Sequence, residues 1–104
     1  MLIFPLKKEW YEKIKSGEKT VEYREVKDYW TKRLFPDIPE DLRGEPRRCY
    51  FQLGYKPETR ILATIFKIEV VDGINTDLKI DKPVYAIHFK LERENSENDR
   101  TEMW

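Results

Sequence analysis

Three side chains in one short stretch could hold an anion or move a proton. They are Lys19, Glu22 and Arg24, in Ser16-Gly17-Glu18-Lys19-Thr20-Val21-Glu22-Tyr23-Arg24. Lys19 and Arg24 offer donors for a phosphate, or for a carbonyl that gains charge. Glu22 can orient Arg24, accept from a base amino group, or act as a general base. Lys19 and Glu22 are therefore the candidates for any catalytic step. Strand alternation puts Thr20, Glu22 and Arg24 on one face and Val21 and Tyr23 on the other. Gly17 can end a helix in the left-handed conformation and leaves room for a ligand backbone. The competing reading is a solvated strand face with a Glu22–Arg24 pair, which composition alone favours.

A second set lies further on. Arg48, Tyr50 and Gln52 share one face of a strand over Arg47–Tyr55, and Tyr55 follows at its turn. A cation, a ring and an amide on one face suit a base plus a phosphate. Tyr50, Gln52 and Tyr55 are the candidates for stacking and base-edge contacts. The alternative is an ordinary outward strand face. Cys49, Phe51 and Leu53 take the core face.

The elements that must position these groups follow from pattern. Leu2–Leu6 reads as a first strand, with Pro5 suited to an edge. Lys8–Ser16 has a helical face of Trp10, Tyr11 and Ile14, with Lys8–Glu12 and Glu9–Lys13 as i,i+4 pairs. Lys19 to about Glu25 is the second strand. Val26, Tyr29, Trp30 and Leu34 mark a second helix, ended by the prolines of Phe35-Pro36-Asp37-Ile38-Pro39. Residues 36–46 form a breaker-rich loop that could border the site or act as a lid. Arg60–Val71 is the longest strand, with Leu62, Thr64, Phe66, Ile68 and Val70 on one side. Residues 74–82 read as a plain loop. Val84–Leu91 is the last strand, with Tyr85, Ile87, Phe89 and Leu91 inward and His88 outward as an unremarkable solvated residue. The fold class is α+β, about five strands in a small closed or nearly closed barrel with two short helices.

Together, Leu6-x-x-x-Trp10-x-x-x-Ile14-x-x-Gly17 and Gly17-x-Lys19-x-x-Glu22-x-Arg24 resemble the signature of the ASCH domain, a small branch of the PUA-like β-barrel superfamily. Phe51-x-x-Gly54-Tyr55, a long apolar strand and Tyr85-Ala86-Ile87-His88-Phe89 follow in a similar order. The resemblance covers roughly residues 2–92. It implies a PUA-like barrel with its helices beside the opening, a domain that acts on RNA, and a site at Gly17, Lys19, Glu22 and Arg24. Some ASCH proteins are small amidohydrolases that remove an acetyl group from modified cytidine. They are similar in the lysine but carry a threonine nucleophile where this chain has Glu22, and a carboxylate cannot replace an activated hydroxyl. The acid those enzymes draw from a later helix has no counterpart in a loop as short as 74–82. A ribonuclease activity has also been proposed for the family. A third reading is a protein-interaction adaptor in which Glu22 and Arg24 form a buried pair at the barrel entrance.

Composition bounds these readings. The 104 residues make one domain, 39% apolar, 13% aromatic and 38% charged, which implies a small aromatic core under a charged surface. Formal net charge is zero, so the chain as a whole is no generic polyanion binder. The charge is unevenly spread. Residues 1–35 hold nine Lys/Arg against six acids, and residues 43–60 hold five against two, whereas residues 92–104 hold five acids against two arginines. The two basic blocks matter only if they meet in space. The tail, 93–104, is polar, acidic and expected to be disordered. One cysteine excludes an internal disulfide, and one Cys with one His makes no zinc site. The chain is expected to need no metal or cofactor, to have no membrane segment, and to be cytoplasmic with single-stranded RNA or another nucleic acid as its partner.

Overall fold

The computed structural model describes residues 2–37 and 47–92. The lid role considered for residues 36–46 falls largely outside the described residues, as does the expectation for the tail. Seven main elements follow in order: β1 (Leu2–Leu6), α1 (Lys8–Ser16), β2 (Val21–Glu25), α2 (Asp28–Leu34), β3 (Arg47–Leu53), β4 (Ile61–Asp72) and β5 (Pro83–Leu91). The five strands form one sheet in the order β1-β3-β4-β5-β2. Only β1 and β3 run parallel, joined through both helices and β2; the other pairs are antiparallel. The sheet curls into a half-barrel, so the α+β class expected from the pattern is what is found. Strands β1 and β2 are its two edges and do not pair with each other.

The core follows from the alternation. Phe4, Ile14, Leu34, Cys49, Phe51 and Ile87 are fully enclosed. Trp30, Phe4, Phe51 and Phe89 form a chain of ring contacts, with centroids 5.2, 5.5 and 4.5 Å apart. Such offset and tilted pairs add to what burial alone supplies. Helix α1 buries Tyr11 and Ile14, and the Tyr11 hydroxyl donates to the carbonyl of Thr59 at 2.6 Å. Its expected Glu9–Lys13 pair is present at 3.9 Å. At the end of α2, Arg47 donates to the carbonyls of Leu34 and Arg33 at 2.7 and 3.0 Å, satisfying helix-end acceptors.

The longest strand departs from simple alternation. Ile61, Ala63 and Ile65 face the core, and the register then shifts between Ile65 and Lys67. Phe66 is the extra residue of this bulge and stands 59% exposed. Beyond it Ile68, opposite Ile87, packs on the core. A bulge moves the following side chains to the other face, which a strict period of two cannot anticipate.

The connection from β4 to β5 is ordered by its own hydrogen bonds. Gly73 N–H donates to Lys82 at 2.8 Å, and Thr76 Oγ1 donates to Gly73 at 2.8 Å. A Cβ on Gly73 would sit 2.7 Å from the carbonyl oxygens of Ile80 and Lys82 and 2.8 Å from Val84 Cγ1. Only glycine lets this segment close so tightly over β5.

Candidate functional site

The two unpaired edges leave a gap, and the cleft of the molecule lies there. Pro5, Leu6 and Lys7 come from the β1 side, Glu22–Glu25 from β2, Trp10 and Trp30 from the helices, and Asp77, Leu78 and Ile80 from the β4–β5 connection. Its volume is about 390 Å³. That suits a ligand the size of one nucleotide.

Gly17 sets the geometry from one side. It takes φ +88° and caps α1 through its N–H to Ile14, and Lys19 N–H then returns to Lys13 at 3.0 Å. The chain turns back so that Lys19 points across the gap. Gly17 itself does not line the cleft.

Glu22 is the centre of the charge network. Its side chain is only 7% exposed. Arg24 donates to its Oε2 from Nε at 2.8 Å and from a terminal nitrogen at 2.6 Å, while Lys19 Nζ lies 3.5 Å from Oε1. Lys19 also pairs with the Asp77 carboxylate. Arg24 reaches on to the carbonyl of Pro5 at 3.1 Å, so one side chain bridges β2 to the opposite edge strand β1. The solvated-face reading of Glu22 is therefore replaced by a buried carboxylate, tolerable because both its oxygens face cations.

Aromatic rings wall this network. Lys19 Nζ lies 5.3 Å from the Trp10 ring centre and 5.0 Å from that of Tyr23. The Arg24 guanidinium stands 4.8 Å from the Trp30 ring and 5.2 Å from Phe4. Trp30 is 8% exposed, so it belongs to the core and to the cleft wall at once. These contacts hold the cations in place without consuming all their donors.

The second set of sequence candidates is placed elsewhere. Arg48 lies at the far end of β3, where its Nε is 3.1 Å from Glu92 Oε2, and Thr64 also donates to that carboxylate. These partners hold the Glu92 carboxyl below the usual carboxylate range, the Thr64 hydrogen bond most, then the Arg48 hydrogen bond and charge. Tyr50 is half-buried beneath the Arg60 guanidinium. Gln52, expected outward, is buried: its amide donates to Gly54 at 2.8 Å and accepts from Arg60 at 2.9 Å, so it ties the turn together. Tyr55 is 89% exposed and lines a neighbouring groove with Lys7, Lys8 and Lys56. Thus Lys19, Glu22 and Arg24 share one cleft, while Arg48, Tyr50, Gln52 and Tyr55 do not line it.

Asp77 is a cleft residue that no periodicity or motif in the sequence marks. The connection judged plain carries the acid that meets Lys19, without needing a helix to do so. Its signal was faint: a lone carboxylate a few residues beyond Asp72-Gly73. His88 accepts or donates at 2.7 Å to Glu69 on the outer face, away from the cleft. Among the described residues, no three His, Cys, Asp or Glu side chains converge to hold a metal ion, and no helix is long and apolar enough to cross a membrane.

What the cleft offers chemically is a fixed cation between two carboxylates, a second cation on the core, and ring faces around them. Lys19 and Arg24 can donate to an acceptor-rich edge. Asp77, 36% exposed, is the carboxylate open to a ligand or a water. Comparison of the chain with protein-family models, with curated proteins and with solved structures gave no match.

Proposed function

We propose that the cleft binds a single nucleobase with its sugar or phosphate, as part of an RNA-binding domain of the ASCH, PUA-like kind. The observation that carries this reading is the Lys19–Glu22–Arg24 network lying against Trp10, Tyr23 and Trp30 in a one-nucleotide cleft. Trp10 and Tyr23, both partly exposed, provide a stacking surface that every base accepts, with buried Trp30 as the wall behind. Fixed donors and acceptors beside them read the base edge. Four cations (Lys7, Lys19, Arg24, Lys27) face three carboxylates (Glu22, Glu25, Asp77), a balance that suits a largely neutral base better than a bare phosphate.

Calorimetric titration with the four nucleoside monophosphates at low salt tests it. Wild type binds at least one. Lys19→Ala binds it about tenfold or more weakly, since a charge-assisted hydrogen bond is lost. The melting temperature falls by less than in Glu22→Ala, because Arg24 still neutralises Glu22 and the Asp77 left behind is 36% exposed to solvent. Equal affinity in the variant removes Lys19 from the site.

The Lys19–Asp77 pair favours a second reading, hydrolysis at the bound base or its backbone. Asp77 would take a proton from water as the water oxygen adds to an acyl carbon on the exocyclic nitrogen of the base, and Lys19 would stabilise the oxyanion. The C–N bond would then break, with the proton passing from Asp77 to the leaving amine. Asp77→Asn then abolishes turnover and retains binding; unchanged turnover excludes Asp77 as the base.

A further inference from the structure

We infer that the cleft is the middle of a longer track, and that its ligand is an interior stretch of single-stranded nucleic acid rather than a free nucleotide. The inference rests on the nucleobase reading of the cleft. The track follows the free edge of β1. Leu2 and Ile3 line a groove of about 480 Å³ on one side of the cleft, and Pro5, Leu6 and Lys7 are shared between the cleft and a groove of about 530 Å³ on the other. Helix α2 makes the first junction: Trp30 lines the cleft, and Tyr29, in edge contact with it at 4.9 Å, lines the groove.

The charge pattern along this line is specific. The first groove carries Lys32, Arg33, Arg47 and Arg48, and the second Lys7, Lys8 and Lys56; neither has a carboxylate among its described lining residues. Among the described lining residues, the carboxylates lie in the central cleft. The first groove also joins the two basic blocks of the sequence, Lys32 and Arg33 from one and Arg47 and Arg48 from the other. Neutralising the end of α2 does not account for this. A helix end carries about half a negative charge, and Glu92 adds one to Arg48. Among the described residues, four cations leave a surplus of roughly two and a half.

A phosphodiester backbone fits such a line. Its phosphates settle in the cationic grooves, and the carboxylates of the centre repel them, which turns a base inward. Each groove adds an exposed ring, Tyr29 or Tyr55, for a neighbouring base. From Leu2 to Leu6 the edge runs about 13 Å, roughly four nucleotides at a stacked spacing near 3.4 Å.

The test compares the tightest-binding monophosphate with the homopentaribonucleotide of that base, using wild type and a Lys32→Glu/Lys56→Glu variant with one change in each groove. Both lysines are exposed and outside the cleft. Wild type binds the pentamer about tenfold or more tightly than the monophosphate, with a steep salt dependence. In the variant this advantage disappears, the salt slope for the pentamer falls by about 1.4 for two lost phosphate contacts, and affinity for the free nucleoside of that base, which has no phosphate to seat in a groove, is unchanged. The neutral pair Lys32→Gln/Lys56→Gln shows the same direction and guards against charge-reversal artefacts. A pentamer no tighter than the monophosphate, or a variant with wild-type slope, overturns the track and leaves the nucleobase reading intact. Displacement of the pentamer by an equal length of polyglutamate overturns it in favour of an acidic-peptide surface. Binding of no monophosphate overturns the nucleobase reading itself.

Discussion

Lys19 and Asp77, separated by 58 positions in the chain, form an ion pair across the mouth of the half-barrel. The pair ties the turn after α1 to the connection between β4 and β5. Glu22 and Arg24 close the opposite side through Pro5. The cleft is thus built from charges that also hold the open edges of the sheet in position.

Glu22 should therefore be structural as well as functional. Glu22→Ala leaves the largely enclosed Arg24 guanidinium without its carboxylate, while Lys19 keeps only Asp77, which costs about 3 kcal/mol or more. For a domain of this size that lowers the melting temperature by roughly 12 °C or more. Glu58→Ala, on an exposed turn, changes stability by less than about 0.5 kcal/mol. Thermal unfolding of both variants checks this, and an unshifted Glu22→Ala refutes a structural role for the pair.

Gly73→Ala should weaken both fold and cleft. The added methyl meets two carbonyl oxygens at 2.7 Å, and relieving such overpacking costs about 1–3 kcal/mol. Because the same segment carries Asp77, amide signals of residues 77–80 shift with it. Gly17→Ala has open space around it but requires φ +88°, a left-handed cost of about 1–2 kcal/mol. Denaturant unfolding separates the two.

Cys49 should be inert in the folded chain. Burial pushes its thiol up to about 12 from the ordinary 9.0, outweighing the Arg47 charge. The raised value means that folding favours the neutral thiol. That contribution is complete below pH 9 and is lost as pH rises from there towards 12. Alkylation at pH 8 should follow global unfolding alone; rapid labelling of native protein contradicts the burial.

On the outer face, the hydrogen bond with His88, with Lys67 nearby, holds the Glu69 carboxyl below its ordinary 4.5. A lowered value means that the contact contributes above pH 4.5 and is lost as pH falls through the folded midpoint. Carboxyl carbon NMR should show a Glu69 midpoint under 4.5 that rises in His88→Ala. An unmoved midpoint assigns the shift elsewhere.

The alternation of apolar residues made the strands and the two helices legible, and the Gly17 stop placed Lys19, Glu22 and Arg24 close together. Four things were not. Phe66 breaks the period of β4, because a bulge has no signature in an apolar run. Gln52 looked outward because its partner Arg60 lies across a turn, where only the fold reveals that the amide is satisfied. Asp77 depended on a connection closing over β5 through Gly73, a packing event with no periodicity. The meeting of the two basic blocks likewise required the Arg47–Leu34 contact between β3 and α2.

The most direct test of the nucleobase cleft is an amide NMR titration with a short mixed-sequence single-stranded RNA at low salt. A nucleobase in the cleft shifts residues 19–25 and 77–80 most, with smaller shifts beside the flanking lysines and arginines. No shifts, or shifts spread evenly over every lysine with the cleft unmoved, would contradict it.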